Sequence, residues 1–174
     1  AASLGLASIG SDTGGSVRLP AAWTGIVGLR ATTGLISRYH TLGPSWSIDQ
    51  VGPIAKTVED LAILLQAIAG YDALDPITLR DPVPDYRKHL RTSIKGVKIG
   101  ILEELIAKDS EPAIETATRT AIEVLRELGA ETKEVWIPSI DDTHKGFGSV
   151  AGPESHAYYQ DVFSDEELSQ IDDD

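Results

Sequence analysis

The stretch Gly10-Ser11-Asp12-Thr13-Gly14-Gly15-Ser16-Val17-Arg18 is the most informative part of the sequence, and the rest is interpreted outward from it. A short apolar run, Leu4–Ile9, precedes it, and Val17–Trp23 has the composition of a short helix. This order predicts a buried strand, a tight glycine loop and a helix start that carries Ser16. Two glycines before Ser16 let backbone N–H groups converge on one oxygen, as an oxyanion hole requires. Ser16 is therefore a candidate nucleophile.

The same stretch has other interpretations. A serine after Gly-Gly at a helix start is usually an N-cap or a turn residue, and this alternative stays open on the stretch alone. Gly10 and Gly15 have the spacing of a phosphate-binding loop, but that motif requires lysine where this chain has Ser16. The nucleophile elbow of the α/β-hydrolases requires glycine where this chain has Arg18. The dinucleotide fingerprint G-x-G-x-x-G does not occur in the stretch.

Three segments in this order resemble the amidase signature family: Gly10–Gly28 (GSDTGGSVRLPAAWTGIVG), Leu29–Arg38 (LRATTGLISR) and Ser47–Asp60 (SIDQVGPIAKTVED). Weaker similarity continues through Leu61–Pro76. The resemblance implies an α/β fold, with a mixed β-sheet covered by helices, as part of one amidase-like domain. It also implies hydrolysis of a small-molecule carboxamide through a serine acyl-enzyme, without a metal or an organic cofactor.

The resemblance assigns roles within the glycine loop. Ser16 matches the nucleophile of the family. The backbone N–H groups of Thr13, Gly14, Gly15 and Ser16 match its oxyanion hole. Because these donors belong to the main chain, we expect the identity of the Thr13 side chain to matter little for that role.

Further residues are candidates for supporting roles. Asp12 and Arg18 flank the loop with opposite charges, so they form either a partly buried ion pair that holds it or two solvated charges. The segment matching Tyr39–Ser47 lies near the substrate channel in the family, which makes Tyr39, His40 and Trp46 candidate wall residues. His40 is not expected to act as a base, because the family transfers its proton without a histidine.

The base that the family uses is not found at a matching position. In the family it is a cis-bonded serine in a glycine-rich loop, backed by a lysine, and both precede the nucleophile. Only fifteen residues precede Ser16, and all seven lysines lie at Lys56 or later. We therefore expect residues 1–174 to be an internal piece of a single amidase-like domain, truncated at both ends, that cannot catalyse by itself.

Composition narrows the class of protein. The net charge is −12, and residues 103–174 hold nineteen acidic and five basic side chains, which indicates a solvated face and argues against direct nucleic-acid binding. No apolar run approaches a membrane span. The chain has no cysteine, and its four histidines are scattered, so no metal site is expected. The lack of cysteine fits a cytoplasmic protein.

Two alternatives to a stand-alone amidase remain. The family includes the glutamine-hydrolysing subunit of tRNA-dependent amidotransferases, which works with partner subunits. The segment His40–Trp46 (HTLGPSW) differs from the Gly-Leu-Val-Ala-Phe-Ala-like run of that subunit. A stand-alone amidase, for which a homodimer is one possible state, is therefore favoured. The other alternative is a non-catalytic relative that only binds or scaffolds.

Periodicity and capping signals predict the remaining elements. Strand, helix and strand in succession from residue 96 to residue 137 predict a βαβ unit with parallel strands. The expected strands are Gly25–Arg30, Gly34–Ser37, Gly96–Leu102 and Ala130–Ile137; the expected helices are Ala55–Ala69 with Thr57 as cap, Tyr86–Leu90, Pro112–Leu128 with Ser110 as cap, and Phe147–Phe163; Asp165–Asp174 is expected to be an acidic tail.

Overall fold

The computed structural model describes residues 2–107, 110–168 and 170, and it confirms a mixed α/β fold. The chain divides into two compact units, residues 1–90 with 144–174 and residues 91–143. In chain order the described elements are β1 (Ala7–Asp12), α1 (Arg18–Thr24), β2 (Val27–Gly28), β3 (Gln50–Ala55), α2 (Val58–Ile68), α3 (Tyr86–His89), β4 (Lys98–Ile101), α4 (Glu103–Ala107), α5 (Pro112–Glu127), β5 (Glu131–Glu134), a 3₁₀ turn (Ile140–Asp142), α6 (Thr143–Val162) and α7 (Asp165–Leu168).

The first unit is built on an antiparallel sheet with the strand order β1-β3-β2. Asp12 pairs with Gln50 at one end of the β1–β3 ladder, and Ala7 pairs with Ala55 at the other. The central strand, β3, is buried at five of its six positions. Because β1 ends at Asp12, residues 13–17, which we call the serine loop, start at this end of the sheet.

The strand before the serine loop is not the one expected from the sequence. The prediction placed a buried strand at Leu4–Ile9, whereas β1 starts at Ala7, and Leu4 and Leu6 are 95% and 90% exposed. The cross-strand ladder explains the shift, because pairing with β3 begins only at Ala7. Residues before that point receive no hydrogen bonds from the ladder and no cover from its partner strand.

The next predicted strands are shorter than expected. Only Val27–Gly28 of the predicted Gly25–Arg30 forms a strand. The predicted strand Gly34–Ser37 is reduced to one isolated bridge between Ile36 and Ala69. Both segments still contribute to the core, in which a buried apolar cluster comprises Ala31, Ile36, Val51 and Leu65.

The capped helix of the first unit, α2, is confirmed with a later start. Thr57 accepts a hydrogen bond from the Asp60 N–H at 3.0 Å, as the capping pattern predicts. The predicted first residue, Ala55, instead ends β3. One face of α2 buries Leu61, Ala62 and Leu65 against the sheet. The short helix expected near Tyr86 is present as α3.

The second unit contains the predicted βαβ arrangement. Strands β4 and β5 pair in parallel, with Lys98 opposite Glu131, and α5 lies between them in sequence. The predicted cap of α5 is wrong: Glu111, not Ser110, holds the N-cap position, and its side chain makes no capping hydrogen bond. Pro112 explains the position of the cap, because its fixed φ suits the first helical residue and makes the residue before it the N-cap.

Helix α6 and the end of the chain complete the description. Helix α6 runs from Thr143 to Val162, four residues earlier than the predicted start, and it continues through Pro153. In the predicted acidic tail, Asp165–Leu168 forms α7, while residue 169 and residues 171–174 lie outside the described residues. None of the described helices is both long enough and apolar enough to cross a membrane.

Candidate active site

The serine loop makes its turn at Gly15. The φ of Gly15 is +138°, and a β-carbon there would lie 2.9 Å from Leu19 Cδ1, so a residue with a side chain fits poorly. The Gly15 carbonyl accepts a hydrogen bond from the Leu19 N–H at 2.7 Å, which starts α1. Val17 holds the N-cap position without a side-chain bond. The N-cap interpretation of Ser16 is therefore wrong.

The loop leaves its hydrogen-bond donors free. Ser16 is exposed, and within the described residues its hydroxyl has no hydrogen-bond partner. In the same part of the chain, the backbone N–H groups of Thr13, Gly14, Gly15 and Ser16 donate to no protein acceptor. The next two N–H groups along the chain, in contrast, are both taken up by Asp12. Four consecutive N–H groups next to an exposed serine thus have no acceptor among the described residues.

The carboxylate of Asp12 holds the C-terminal end of the serine loop. Its side chain is fully buried, and its Oδ2 accepts from the N–H groups of Val17 and Arg18 at 3.2 and 3.3 Å. The Arg18 guanidinium donates two hydrogen bonds to the same carboxylate, from Nε at 3.0 Å and from Nη2 at 2.9 Å. Arg30 Nη1 lies 3.2 Å from Asp12 Oδ1. Of the two interpretations left open by the sequence, the structure therefore contains the ion pair.

These contacts set the charge of Asp12. Burial by itself raises the pKa of this carboxyl, but the hydrogen bonds from Arg18 and Val17 and the Arg18 charge lower it to about 2, below the ordinary 3.8. The same pair raises the pKa of Arg18, chiefly through the hydrogen bond to Asp12. The loop is thus held by an anion that stays ionised at any physiological pH.

Arg30 joins the serine loop to the start of β3. Its Nη1 donates to the main-chain oxygen of Asp12 and lies 3.5 Å from that of Thr13. Its Nη2 donates to the main-chain oxygen of Ile48. Arg30 follows β2 by two residues, so one guanidinium ties together chain segments next to all three strands.

Val17 anchors the loop on the apolar side. Its side chain is fully buried between three glycines, one from each strand of the sheet. Added β-carbons at Gly10, Gly28 and Gly52 would lie 3.3, 3.2 and 3.4 Å from its methyl groups. Backbone oxygens would lie closer still to the added β-carbons of Gly28, at 2.8 Å, and of Gly52, so a side chain at these two positions would require local movement, and the glycines let the valine pack directly on the sheet.

Thr13 and Asp49 form a second polar connection. The Thr13 hydroxyl donates to Oδ1 of Asp49, whose other oxygen accepts from the Ser45 N–H at 3.0 Å. Asp49 is buried. Because Asp12 pairs with Gln50, Thr13 and Asp49 are the next opposite pair in the same antiparallel register. The Thr13 side chain therefore has a specific partner, a structural contact separate from the backbone N–H that the family resemblance assigned to the oxyanion hole.

Helix α6 contacts this site at two points. Glu154 accepts from the Ser45 hydroxyl at 2.6 Å and from the Ser47 N–H at 3.2 Å. The Ser45 hydrogen bond is the main reason that the pKa of Glu154 is lowered. Nearer the start of the helix, the Phe147 ring lies next to Gly14 of the serine loop. A β-carbon added to Gly14 would be 3.1 Å from Phe147 Cζ.

The three candidate channel residues lie around one cavity. Tyr39, His40 and Trp46 line a space of about 280 Å³, whose wall also includes Arg38 and Asp49. The Tyr39 and His40 rings meet edge to face, with centroids 4.1 Å apart. Asp49 thus belongs both to this cavity wall and to the hydrogen-bond connection with the serine loop.

No group of three or more histidine, aspartate or glutamate side chains in the described part of the chain is arranged to hold a metal ion. What the described residues do bring together is an exposed serine, four N–H groups without an acceptor and a loop fixed by an ion pair whose carboxylate is buried. This combination defines a site suited to acyl transfer at a serine.

A family model described as Amidase matches residues 1–173. The chain therefore belongs to the amidase family, and the resemblance seen in the sequence is confirmed.

Individual relatives cover the chain well. It is 51% identical over 133 residues to the glutamyl-tRNA(Gln) amidotransferase A subunit of Gloeobacter violaceus, an alignment over 76% of this chain and 27% of that protein. A crystal structure of the Thermotoga maritima protein of the same name matches with a TM-score of 0.83 and 36% identity, over 95% of this chain and 36% of that one. A bacterial aryl acylamidase of the amidase signature family matches with a TM-score of 0.79 and 27% identity, over 97% of this chain and 36% of that one. The chain thus spans about a third of the length of these relatives.

Several residues that shape the site were not assigned to it from the sequence. Arg30 and Asp49 lie inside the segments that resemble the family, but the resemblance gave neither residue a role in the site. Val17 also lies inside one of these segments, again without an indicated role, whereas Phe147 and Glu154 lie outside all of them. Their contacts join residues up to 109 positions apart, as between Ser45 and Glu154, and local patterns do not report such distances.

Proposed function

We propose that the protein containing this chain hydrolyses a carboxamide with Ser16 as the nucleophile. The observation that carries this proposal is the exposed Ser16 hydroxyl next to four N–H groups without an acceptor among the described residues. Ser16 Oγ attacks the amide carbonyl carbon and gives its proton to a base. The C–N bond then breaks, and the nitrogen leaves as ammonia or an amine after taking up a proton. Water hydrolyses the resulting ester, which releases a carboxylate and restores the serine.

The oxyanion of the tetrahedral intermediate would be held by the main chain of Thr13, Gly14, Gly15 and Ser16. Preorganised N–H donors of this type typically contribute about 10²–10³-fold each to the rate. The buried Asp12 carboxylate, paired with Arg18, supports this role by fixing the loop without using any of the four donors.

The base is proposed to come from outside the described residues. The family resemblance implies a cis-bonded serine and a lysine that precede the nucleophile. Within the described residues, no side chain is hydrogen-bonded to Ser16 Oγ, which supports the expectation that the isolated 174-residue chain does not turn over amides. Measurable amide turnover by the isolated chain, abolished by Ser16→Ala, would contradict this part of the proposal.

Two settings for this chemistry remain. The cavity around Tyr39, His40 and Trp46 would receive a small amide, which suits a stand-alone amidase. The names of the relatives favour a second candidate, a component of an amidotransferase that hydrolyses glutamine and passes ammonia to partner subunits. Ammonia release from glutamine that depends on co-purifying partners would favour this second candidate. In both settings a cytoplasmic location agrees with the absence of cysteine from the sequence.

A fluorophosphonate probe tests the nucleophile without knowledge of the substrate. In the full-length protein we expect one label per chain, lost in Ser16→Ala and kept in Ser11→Ala, an exposed serine five residues earlier that serves as the control. Stoichiometric labelling of Ser16→Ala would contradict the assignment. Failure of the unaltered, folded protein to react would support a non-catalytic relative.

A further inference from the structure

Among the described residues, Arg30 is the one charged side chain that contacts both the Asp12 carboxylate and the carbonyl groups of the serine loop. We propose that Arg30 is a positioning residue that orients two of the backbone N–H donors of the oxyanion hole. This inference rests on the proposed function. The Arg30 side chain is 26% exposed, so most of the side chain is withdrawn from water. The inference follows from the two carbonyl groups that it contacts.

The carbonyl contacts fix the direction of two N–H groups. In a planar trans peptide unit the C=O and the N–H point in opposite directions. Arg30 Nη1 contacts the carbonyl oxygens of Asp12 and Thr13, which belong to two successive peptide units. The N–H groups of those units, on Thr13 and Gly14, therefore point away from the guanidinium. They are the first two of the four donors that have no acceptor within the described residues.

The guanidinium is itself held in place. Its Nη2 donates to the Ile48 carbonyl oxygen, and Nη1 lies 3.2 Å from Asp12 Oδ1. These contacts lie on different chain segments, so the guanidinium cannot turn without losing one of them. A planar fork with several donors suits this bridging role, whereas a lysine ammonium is a single point of charge.

Charge pairing alone does not account for these contacts. Arg18 already binds both oxygens of the Asp12 carboxylate, and its backbone N–H donates to the same carboxylate. The distinctive contribution of Arg30 is to the main chain. Without it, either peptide unit can rotate and turn a carbonyl oxygen, instead of an N–H, toward the developing negative charge. Reorganising the loop would then add to the activation barrier.

The test measures how fast a fluorophosphonate labels Ser16 in the full-length protein. The phosphoryl oxygen of this probe carries the negative charge that the oxyanion hole binds, so the rate reports on the donors. For Arg30→Met we expect the second-order labelling rate to fall roughly 10- to 100-fold, below the loss of an entire donor. The final stoichiometry should stay at one label per chain. Arg30→Lys should recover part of the rate, because an ammonium can still bind one carbonyl.

Controls separate positioning from folding. Arg87→Met removes an exposed arginine that pairs with Glu59 at 3.3 Å, and it should label at the unaltered rate. If Arg30→Met lowers the stoichiometry while the labelled fraction reacts at the normal rate, Arg30 only stabilises the fold and the inference is overturned. If Arg30→Met does not fold, Arg30→Lys must show a slower rate at full stoichiometry, and a normal rate there overturns it. Ser16→Ala tests the proposed function separately. Labelling of that variant would contradict the assignment of Ser16 as the nucleophile, whereas the role of Arg30 is judged from the labelling rates of the Arg30 variants.

Discussion

The two units of the chain each contain an arginine–carboxylate pair, and the pairs differ in burial, not in length. Arg18 lies 2.9 Å from Asp12 in the first unit, and Arg119 lies 2.9 Å from Glu103 in the second. The two arginines are similarly exposed, Arg18 at 50% and Arg119 at 43%, and the difference lies in the carboxylates: Asp12 is fully buried, whereas Glu103 is 42% exposed. Water screens the exposed pair and competes for its partners, but it does not reach the buried carboxylate. The same chemical pair thus fixes a loop in one unit and lies on the open surface in the other.

Removing the buried carboxylate should have the largest effect. Asp12→Ala leaves the N–H groups of Val17 and Arg18 without their acceptor and deprives two guanidinium groups of their anion. We expect a loss of about 3 kcal/mol in the free energy of unfolding, at the lower end for a broken buried pair because Arg18 stays partly in water. Denaturant unfolding of the full-length protein measures it. Glu59→Ala, which removes an exposed partner of Arg87, is the control; equal effects of the two variants would remove the contrast.

The pH dependence of stability should report the same carboxylate. The pKa of Asp12 is lowered from 3.8 to about 2, so ionised Asp12 stabilises the fold above about pH 4, and this contribution is lost as the pH falls toward 2. At about 1.4 kcal/mol per pH unit the contribution is about 2 kcal/mol. The difference in unfolding free energy between the unaltered protein and Asp12→Asn should therefore shrink by about that amount between pH 5 and pH 2. A difference that does not change with pH would contradict the lowered pKa.

The hydroxyl of Thr13 should have a moderate effect. Thr13→Val keeps the shape of the side chain but leaves the buried Asp49 carboxylate without this donor. We expect a loss of about 1.5 kcal/mol in unfolding free energy. Thr13→Ser, which keeps the hydroxyl, should lose much less, and the comparison of the two variants isolates the hydrogen bond. Equal losses would mean that packing, not the hydroxyl, accounts for the contact.

The exposed pair of the second unit should have the smallest effect. Arg119→Ala removes the contacts with Glu103 and Glu115, but all three side chains are open to water. We expect only a small loss in the free energy of unfolding, far below that of Asp12→Ala, and this loss should vanish at high salt. A loss comparable to that of Asp12→Ala would show that burial does not explain the difference between the two pairs.

Elements with local signals were predicted well. Thr57 with Asp60 marked the start of α2, and Pro112 marked the start of α5, because a cap or a fixed φ acts within a few residues. The βαβ order of the second unit also followed from local periodicity. The strand ends were predicted less well. Their limits depend on where a partner strand begins, as the start of β1 at Ala7 illustrates.

The candidate site divides in the same way. The glycine loop and its serine were recognisable from residues that are adjacent in the chain. The ion pair of Asp12 and Arg18 was one of two open interpretations, because its partners are only six residues apart. The contacts of Arg30 with Asp12 and of Thr13 with Asp49 span 18 and 36 residues, and no local pattern indicates them.

The sequence by itself determined the serine loop, the Thr57 cap of α2, the start of α5 at Pro112 and the acidic character of the last third. These features depend on backbone preferences and charges that act over a few residues. Only the tertiary structure decided which polar groups meet. The β1-β3-β2 register sets Asp12 against Gln50, and this places Thr13 opposite Asp49. Burial then decides which of these pairs stay dry, because the dielectric around a charge depends on everything packed over it and not on its neighbours in the chain.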